Sequence, residues 1–161
     1  HLVLIVNPFL NNIQQFIYLQ PIDSMVDNLP VFAYKQLNKV LFYGSDFGVH
    51  YHPHFAHDLH MEATYSYLNV RTKTDSSISM IPPGRLLMSL RYNLNFGKKL
   101  QVKDVLVQYT FMNQQNKIAY NETASPAYQL LDASVQLKWN GKAPVDVQVG
   151  CSDESKTSSP R

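Results

Sequence analysis

Cysteine is almost absent. The single Cys151 cannot form an internal disulfide and has no CxxC neighbour, so cysteine fixes neither a redox compartment nor a metal site. Long hydrophobic runs are missing too: the longest, Leu2 to Val6 and Val40 to Tyr43, fall far short of the roughly 18 residues that a transmembrane helix needs. Tryptophan occurs once, against ten Tyr and eight Phe, a bias that suits strands and membrane interfaces better than helices. Charge of either sign is sparse and balanced, 14 basic against 12 acidic residues for a net +2, and it is scattered along the chain. That distribution excludes a basic stripe, so no nucleic-acid partner is expected. No acid/base pair of recognisable spacing, Ser-His-Asp order, glycine-rich phosphate loop or zinc motif occurs, so neither an enzyme nor a cofactor is expected. The chain starts at His1 without a basic n-region or cleavage site, which puts any export signal upstream.

What is present is alternation, in a chain whose 45% hydrophobic content excludes a disordered reading. From Arg85 to Phe96, Leu86, Met88, Leu90, Tyr92, Leu94 and Phe96 share one side, opposite Arg85, Leu87, Ser89, Arg91, Asn93 and Asn95. Gln129 to Trp139 repeats the split, with Leu131, Ala133, Val135, Leu137 and Trp139 against Asp132, Ser134, Gln136 and Lys138. So do Val105 to Phe111, Leu41 to Tyr51 and His60 to Tyr67. Two weaker segments are Leu2 to Leu19, interrupted by Pro8 and Asn11-Asn12, and Val145 to Val149.

About seven strands result, most near the 9 to 11 residues of a tilted membrane-crossing strand. Their connections alternate: short around Pro53 to Leu59, Gly97 to Asp104 and Asn140 to Pro144, longer around Gln20 to Val31, Arg71 to Gly84 and Asn113 to Tyr128. Pro82-Pro83-Gly84 reads as a turn into the next strand, with the glycine permitting the bend. The polar run Ser152 to Arg161 lacks alternation and is expected to be a disordered tail after a barrel portion covering residues 1–151.

Alternation alone also describes a soluble β-sandwich or small β-barrel that binds a ligand or a protein. Small and amide residues on the polar faces (Gly44, Gly48, Ser66, Ser89, Asn93) and aromatics near strand ends (Tyr51, Phe96, Tyr128, Trp139) lean toward a membrane barrel with a wet lumen. Closing these strands as a small barrel would bury Asp46, Glu62, Arg85, Arg91, Asp132 and Lys138, so an open antiparallel meander is expected, with the first and last strands as separate edges.

The densest polar cluster is HYHPHFAHDLH, which holds His50, His52, His54, His57 and His60. Imidazoles at that density suit zinc, copper or nickel. Pro53 interrupts the extended run that would align His50, His52 and His54, so the plainer expectation is a turn with solvated histidines.

Four stretches, in order, resemble TonB-dependent outer-membrane receptors. NNIQQFIYLQP (Asn11 to Pro21) is similar to the family's "N-x-I-x-N-F-I-Y-L" strand, and YGSDFGVHYHPHFAHDLHMEATYSY (Tyr43 to Tyr67) resembles its paired strands around a "YHP" turn, with Asp46 near the usual Glu. IPPGRLLMSLRYNL (Ile81 to Leu94) is similar to "IPP-R-L-x-x-x-L-R-Y", and YNETASPAYQLLDASVQLKW (Tyr120 to Trp139) to "E-T-x-T-P-G-Y-x-L-L-N-A-S". The resemblance covers roughly residues 1–150. It implies an all-β, up-and-down transmembrane barrel in the bacterial outer membrane, with lipid, the remaining strands, a plug, the TonB system and an imported ligand as partners. It departs from the family after Val149: SDESKTSSPR stands where a loop and a last strand ending in an aromatic residue are expected, and neither the plug nor the TonB-binding box falls within these residues.

Overall fold

The computed structural model describes residues 1–73, 78, 81–97, 99–118, 123–140 and 144–156. Its strands are β1 (Leu2–Val26), β2 (Leu29–Tyr51), β3 (Leu59–Thr72), β4 (Arg85–Phe96), β5 (Leu100–Met112), β6 (Tyr128–Trp139) and β7 (Val145–Lys156). They form one antiparallel sheet in sequence order, an up-and-down meander. No register joins β1 to β7 among the described residues, so the sheet is open.

Residues directly opposite in an antiparallel pair share a face, so the register assigns the faces. One face aligns Leu4 with Val49, Val49 with Ala63, Ala63 with Met88 and Met88 with Tyr109. It continues through Leu131 opposite Tyr109, and lower down through Val105, Val135 and Val149 in register. The other face aligns Asp46 with Ser66, Ser66 with Arg85, Gln108 with Asp132 and Gln136 with Gln148.

No second layer covers the apolar face among the described residues. Among the described residues only Val40 and Ile78 are buried hydrophobics, while Leu4 stands 68% exposed and Val149 59%. A sandwich would bury these side chains at about 25 cal/mol per Å² of apolar area, so their exposure excludes one. An uncovered apolar face of this kind suits a bilayer. Measured from Leu131 to Trp139 or from Leu41 to Tyr51, at about 3.3 Å per residue and a tilt of about 40°, the band is about 20 to 25 Å tall, close to the roughly 25 Å of an outer-membrane barrel.

Aromatic residues bound this band at both ends. Near the short turns stand Tyr51, Tyr92 and Trp139, each at least 39% exposed. Near the long connections the apolar-face tyrosines find amide partners: Asn113 Nδ2 donates to Tyr65 Oη (3.2 Å), Asn69 Nδ2 to Tyr67 Oη (3.1 Å), and Tyr109 Oη donates to Gln129 Oε1 (2.8 Å). Rings toward lipid and hydroxyls toward polar groups is how tyrosine sits at a membrane interface.

Bulges keep the faces in phase. Lys103 is the extra residue between Val102, opposite Leu137, and Asp104, opposite Gln136, so Val102 and Val105 both join the apolar face although an odd number of positions separates them. A matching irregularity lies between Asn93 and Phe96 of β4. The side chains of Asn95 and Phe96, assigned to opposite faces from sequence, lie outside the described residues.

Three sequence expectations need correction. Residues 20–31 are not a loop: β1 runs unbroken through Pro8 and Pro21 to Val26, and Asp27 and Asn28 (φ 51° and 62°) make a two-residue hairpin turn. Both central residues are left-handed, as a type I′ turn requires, and Asp and Asn tolerate that conformation. Prolines fit here because β1 has a partner on one side only. Second, β7 continues through Ser152 to Lys156, paired with β6 from Ser152 opposite Asp132 to Lys156 opposite Tyr128. Backbone pairing needs no hydrophobic alternation, which is why polar residues 152–156 form strand; residues 157–161 of the expected tail lie outside the described ones. Third, Gly84 does not adopt a positive φ. A Cβ there would lie 2.7 Å from Asn113 Nδ2 and 2.9 Å from Tyr65 Oη, so the glycine serves close approach.

The β4–β5 turn does need glycine's freedom. Gly97 has φ +109°, and a Cβ would collide with the Leu100 carbonyl oxygen. Gly97→Ala is expected to destabilise the complete barrel by at least about 1 to 3 kcal/mol, the usual cost of such backbone strain. Denaturant titration of the refolded barrel, wild type against variant, checks it; equal midpoints would contradict it.

Candidate functional site

The polar face divides into three zones. In the middle it carries two register rows, Asp46 with Ser66 and Arg85, and Ser89 with Gln108 and Asp132. Its β1 segment departs from that polarity, because Ile5 and Phe9 lie on it opposite Gly48 and Gly44. A Cβ at Gly44 would collide with the Tyr67 carbonyl oxygen and lie 2.8 Å from the Phe9 ring, and Ile5 packs over Gly48. Read from sequence as small residues suited to a wet lumen, these two glycines instead seat apolar neighbours, a cross-strand pairing that stabilises glycine in a sheet.

At the end with long connections, β2 pairs with β3 only as far as Val40 opposite Thr72. Beyond it, residues 29–39 pair only with β1 among the described residues, as an arm about 35 Å long at about 3.3 Å per residue. At its base Gln15 has a left-handed φ of 53°, the ring of Phe16, which pairs with Leu37, meets that of Phe42 edge-on at 5.3 Å, and Val40 is fully buried. Beside it a cleft of about 520 Å³ opens against the end of β3, bounded by Asn69, Val70, Pro82, Pro83 and Gln115 among others. Lys117 Nζ donates to Asn69 Oδ1 (3.3 Å), tying the β5–β6 connection to β3, and Gln115 Nε2 donates to the Ile81 carbonyl (3.1 Å), tying it to the β3–β4 connection. Sequence reasoning missed this cleft. Its only trace was the concentration of Asn, Gln and Pro in those connections.

At the opposite end lie the histidines. His50 is in β2, His60 in β3, and His52, His54 and His57 in the turn between, where Ala56 N–H donates to the Pro53 carbonyl (3.3 Å) and Leu59 N–H to the Ala56 carbonyl (3.0 Å). The fold brings together two pairs on the polar face. His50 Nδ1 lies 2.8 Å from Glu62 Oε1, its register partner, and the rings of His52 and His60 meet edge-on at 4.4 Å. His60 Nε2 lies 3.1 Å from Asn93 Nδ2, which can only donate, so that nitrogen accepts. His54 is not brought into this group, its ring lying 5.2 Å from that of His1, and His57 is exposed. Among the described residues, no three of His, Cys, Asp and Glu stand close enough together to hold a metal ion as arranged. Glu62 is the residue that the histidine count overlooked; alternation put it on the same face as His60.

Residues 4–152 match the family model described as TonB dependent receptor-like, beta-barrel. No curated protein matches the chain. The match spans nearly all seven strands, and it accounts for an open sheet with one uncovered apolar face bounded by aromatic residues. The chain belongs to the TonB-dependent receptor β-barrel family.

Proposed function

We propose that this chain forms part of the wall of a bacterial outer-membrane receptor that imports a scarce ligand, of the metal-chelate, cobalamin or glycan class, driven by TonB through a plug. The apolar band about 20 to 25 Å tall, opposite a polar face, is the observation that carries this reading. In it the sheet end that holds Tyr51, Leu59, Leu100, Trp139 and Val145 faces the periplasm, and the β1–β2 arm and the cleft beside Asn69 face outward, where a ligand first arrives. The polar face lines the lumen. The work is binding and transport, not catalysis.

The test uses the complete receptor in its own outer membrane. Uptake of labelled ferric chelates, cobalamin and oligosaccharides is followed with and without functional TonB. One ligand is expected to enter only when both receptor and TonB are present. Fractionation of the protein away from the outer membrane, or uptake indifferent to TonB, would contradict the proposal.

A further inference from the structure

We infer that His50, His52, His60 and Glu62 form a zinc site at the turn end of the polar face. Strand periodicity is the reason. His50 and His52 are two residues apart, as are His60 and Glu62, so each pair projects from one face. The β2–β3 register sets Glu62 opposite His50, and the same register carried one step further sets His60 opposite His52, as their ring contact confirms. Four donors thus occupy the corners of a quadrilateral spanning two hydrogen-bonded strands. Three imidazoles and one carboxylate are a donor set suited to a borderline divalent ion, and zinc accepts it in tetrahedral geometry.

As they stand the donors are engaged with neighbours, His50 with Glu62 and His60 with Asn93. Both contacts involve side-chain tips at partly exposed positions, and because no three of the donors stand close enough to hold an ion as arranged, binding requires these histidines and Glu62 to rotate toward it. Arg91, the register partner of His60, opposes a cation, but it is exposed and its guanidinium can stay in water. His54 and His57 fall outside the quadrilateral, which separates this site from a histidine-rich turn binding metal loosely along its length.

That this face borders an aqueous lumen rests on the receptor reading; the metal chemistry does not. The complete receptor in detergent micelles is titrated with Zn²⁺ by calorimetry, and with Co²⁺ while the visible absorption of tetrahedral cobalt is recorded. Stoichiometric binding of both ions is expected, lost when His52→Gln and His60→Gln are combined and weakened about 10- to 100-fold by Glu62→Gln. His54→Gln with His57→Gln should leave it unchanged. The heat-dependent gel shift of the folded barrel verifies that each variant folds. No saturable zinc binding, binding that survives His52→Gln with His60→Gln, or equal loss in the His54/His57 control would overturn the site. Zinc bound as described in a protein without TonB-dependent uptake would leave the site standing and refute the transport reading alone.

Discussion

Leu90→Arg or Val135→Arg, introduced into the complete barrel, is expected to destabilise it by about 2 to 4 kcal/mol, whereas Gln136→Arg should cost much less. Leu90 lies between Met61 and Val107, and Val135 between Val105 and Val149, so each is flanked by apolar residues on both neighbouring strands; the full cost holds near the bilayer midplane, which suits Val135, four residues from Trp139, better than Leu90, two residues from Tyr92. A guanidinium there must enter hydrocarbon or thin the bilayer around it. Gln136 is one residue from Val135 but pairs with Asp104 and Gln148, where arginine meets polar groups. Urea titration during refolding into lipid vesicles gives the difference. Equal costs on the two faces would contradict the assignment.

The second large effect concerns the edges. The isolated chain, refolded into detergent micelles, is expected to give no compact monomer and no heat-dependent gel shift, while the complete receptor gives both. β1 and β7 each have one hydrogen-bonded neighbour, and the outer side of each presents a row of backbone amides and carbonyls. In hydrocarbon each unpaired group costs several kcal/mol, and in water a long strand edge invites pairing between chains. Closing β1 onto β7 would remove the edges only by crowding Asp46, Glu62, Arg85, Arg91, Asp132 and Lys138 into a narrow interior. Size-exclusion chromatography with light scattering decides the matter. A monodisperse, protease-resistant monomer would show that the wall closes on itself.

The strands that were legible in the sequence are those with one solvent-like and one lipid-like face. β4 and β6 announce themselves because Met88 to Tyr92 and Leu131 to Trp139 alternate cleanly with polar residues, and their bounds match the structure within one residue. The β1–β2 arm was not legible. Pro21, Pro30, Asp23 and Ser24 carry loop composition; Pro21 and Pro30 are extended through pairing with the facing strand, and β1 passes Asp23 and Ser24 through a register shift between Pro21 and Met25. The end of β7 failed for the same reason: Ser152 to Lys156 has no alternation, and its strand conformation is dictated by β6. In both places tertiary pairing overrides local propensity. The histidine region was half legible. Its density stood out, but which imidazoles meet depends on the β2–β3 register, and that register unites His52 with His60 across a turn containing Pro53.

The central claim, that the residues aligned with Val135 face lipid and those aligned with Gln136 face water, is tested most directly by single nitroxide labels along β6. Each position from Leu131 to Trp139 of the complete receptor, reconstituted in vesicles, is replaced by cysteine and labelled. Accessibility to oxygen, which concentrates in the bilayer, is then compared with accessibility to a water-soluble nickel chelate. A period of two is predicted, with oxygen maxima at Leu131, Ala133, Val135 and Leu137 and nickel maxima at Asp132, Ser134, Gln136 and Lys138. Uniform accessibility along the strand, or nickel maxima at Ala133 and Val135, would contradict it.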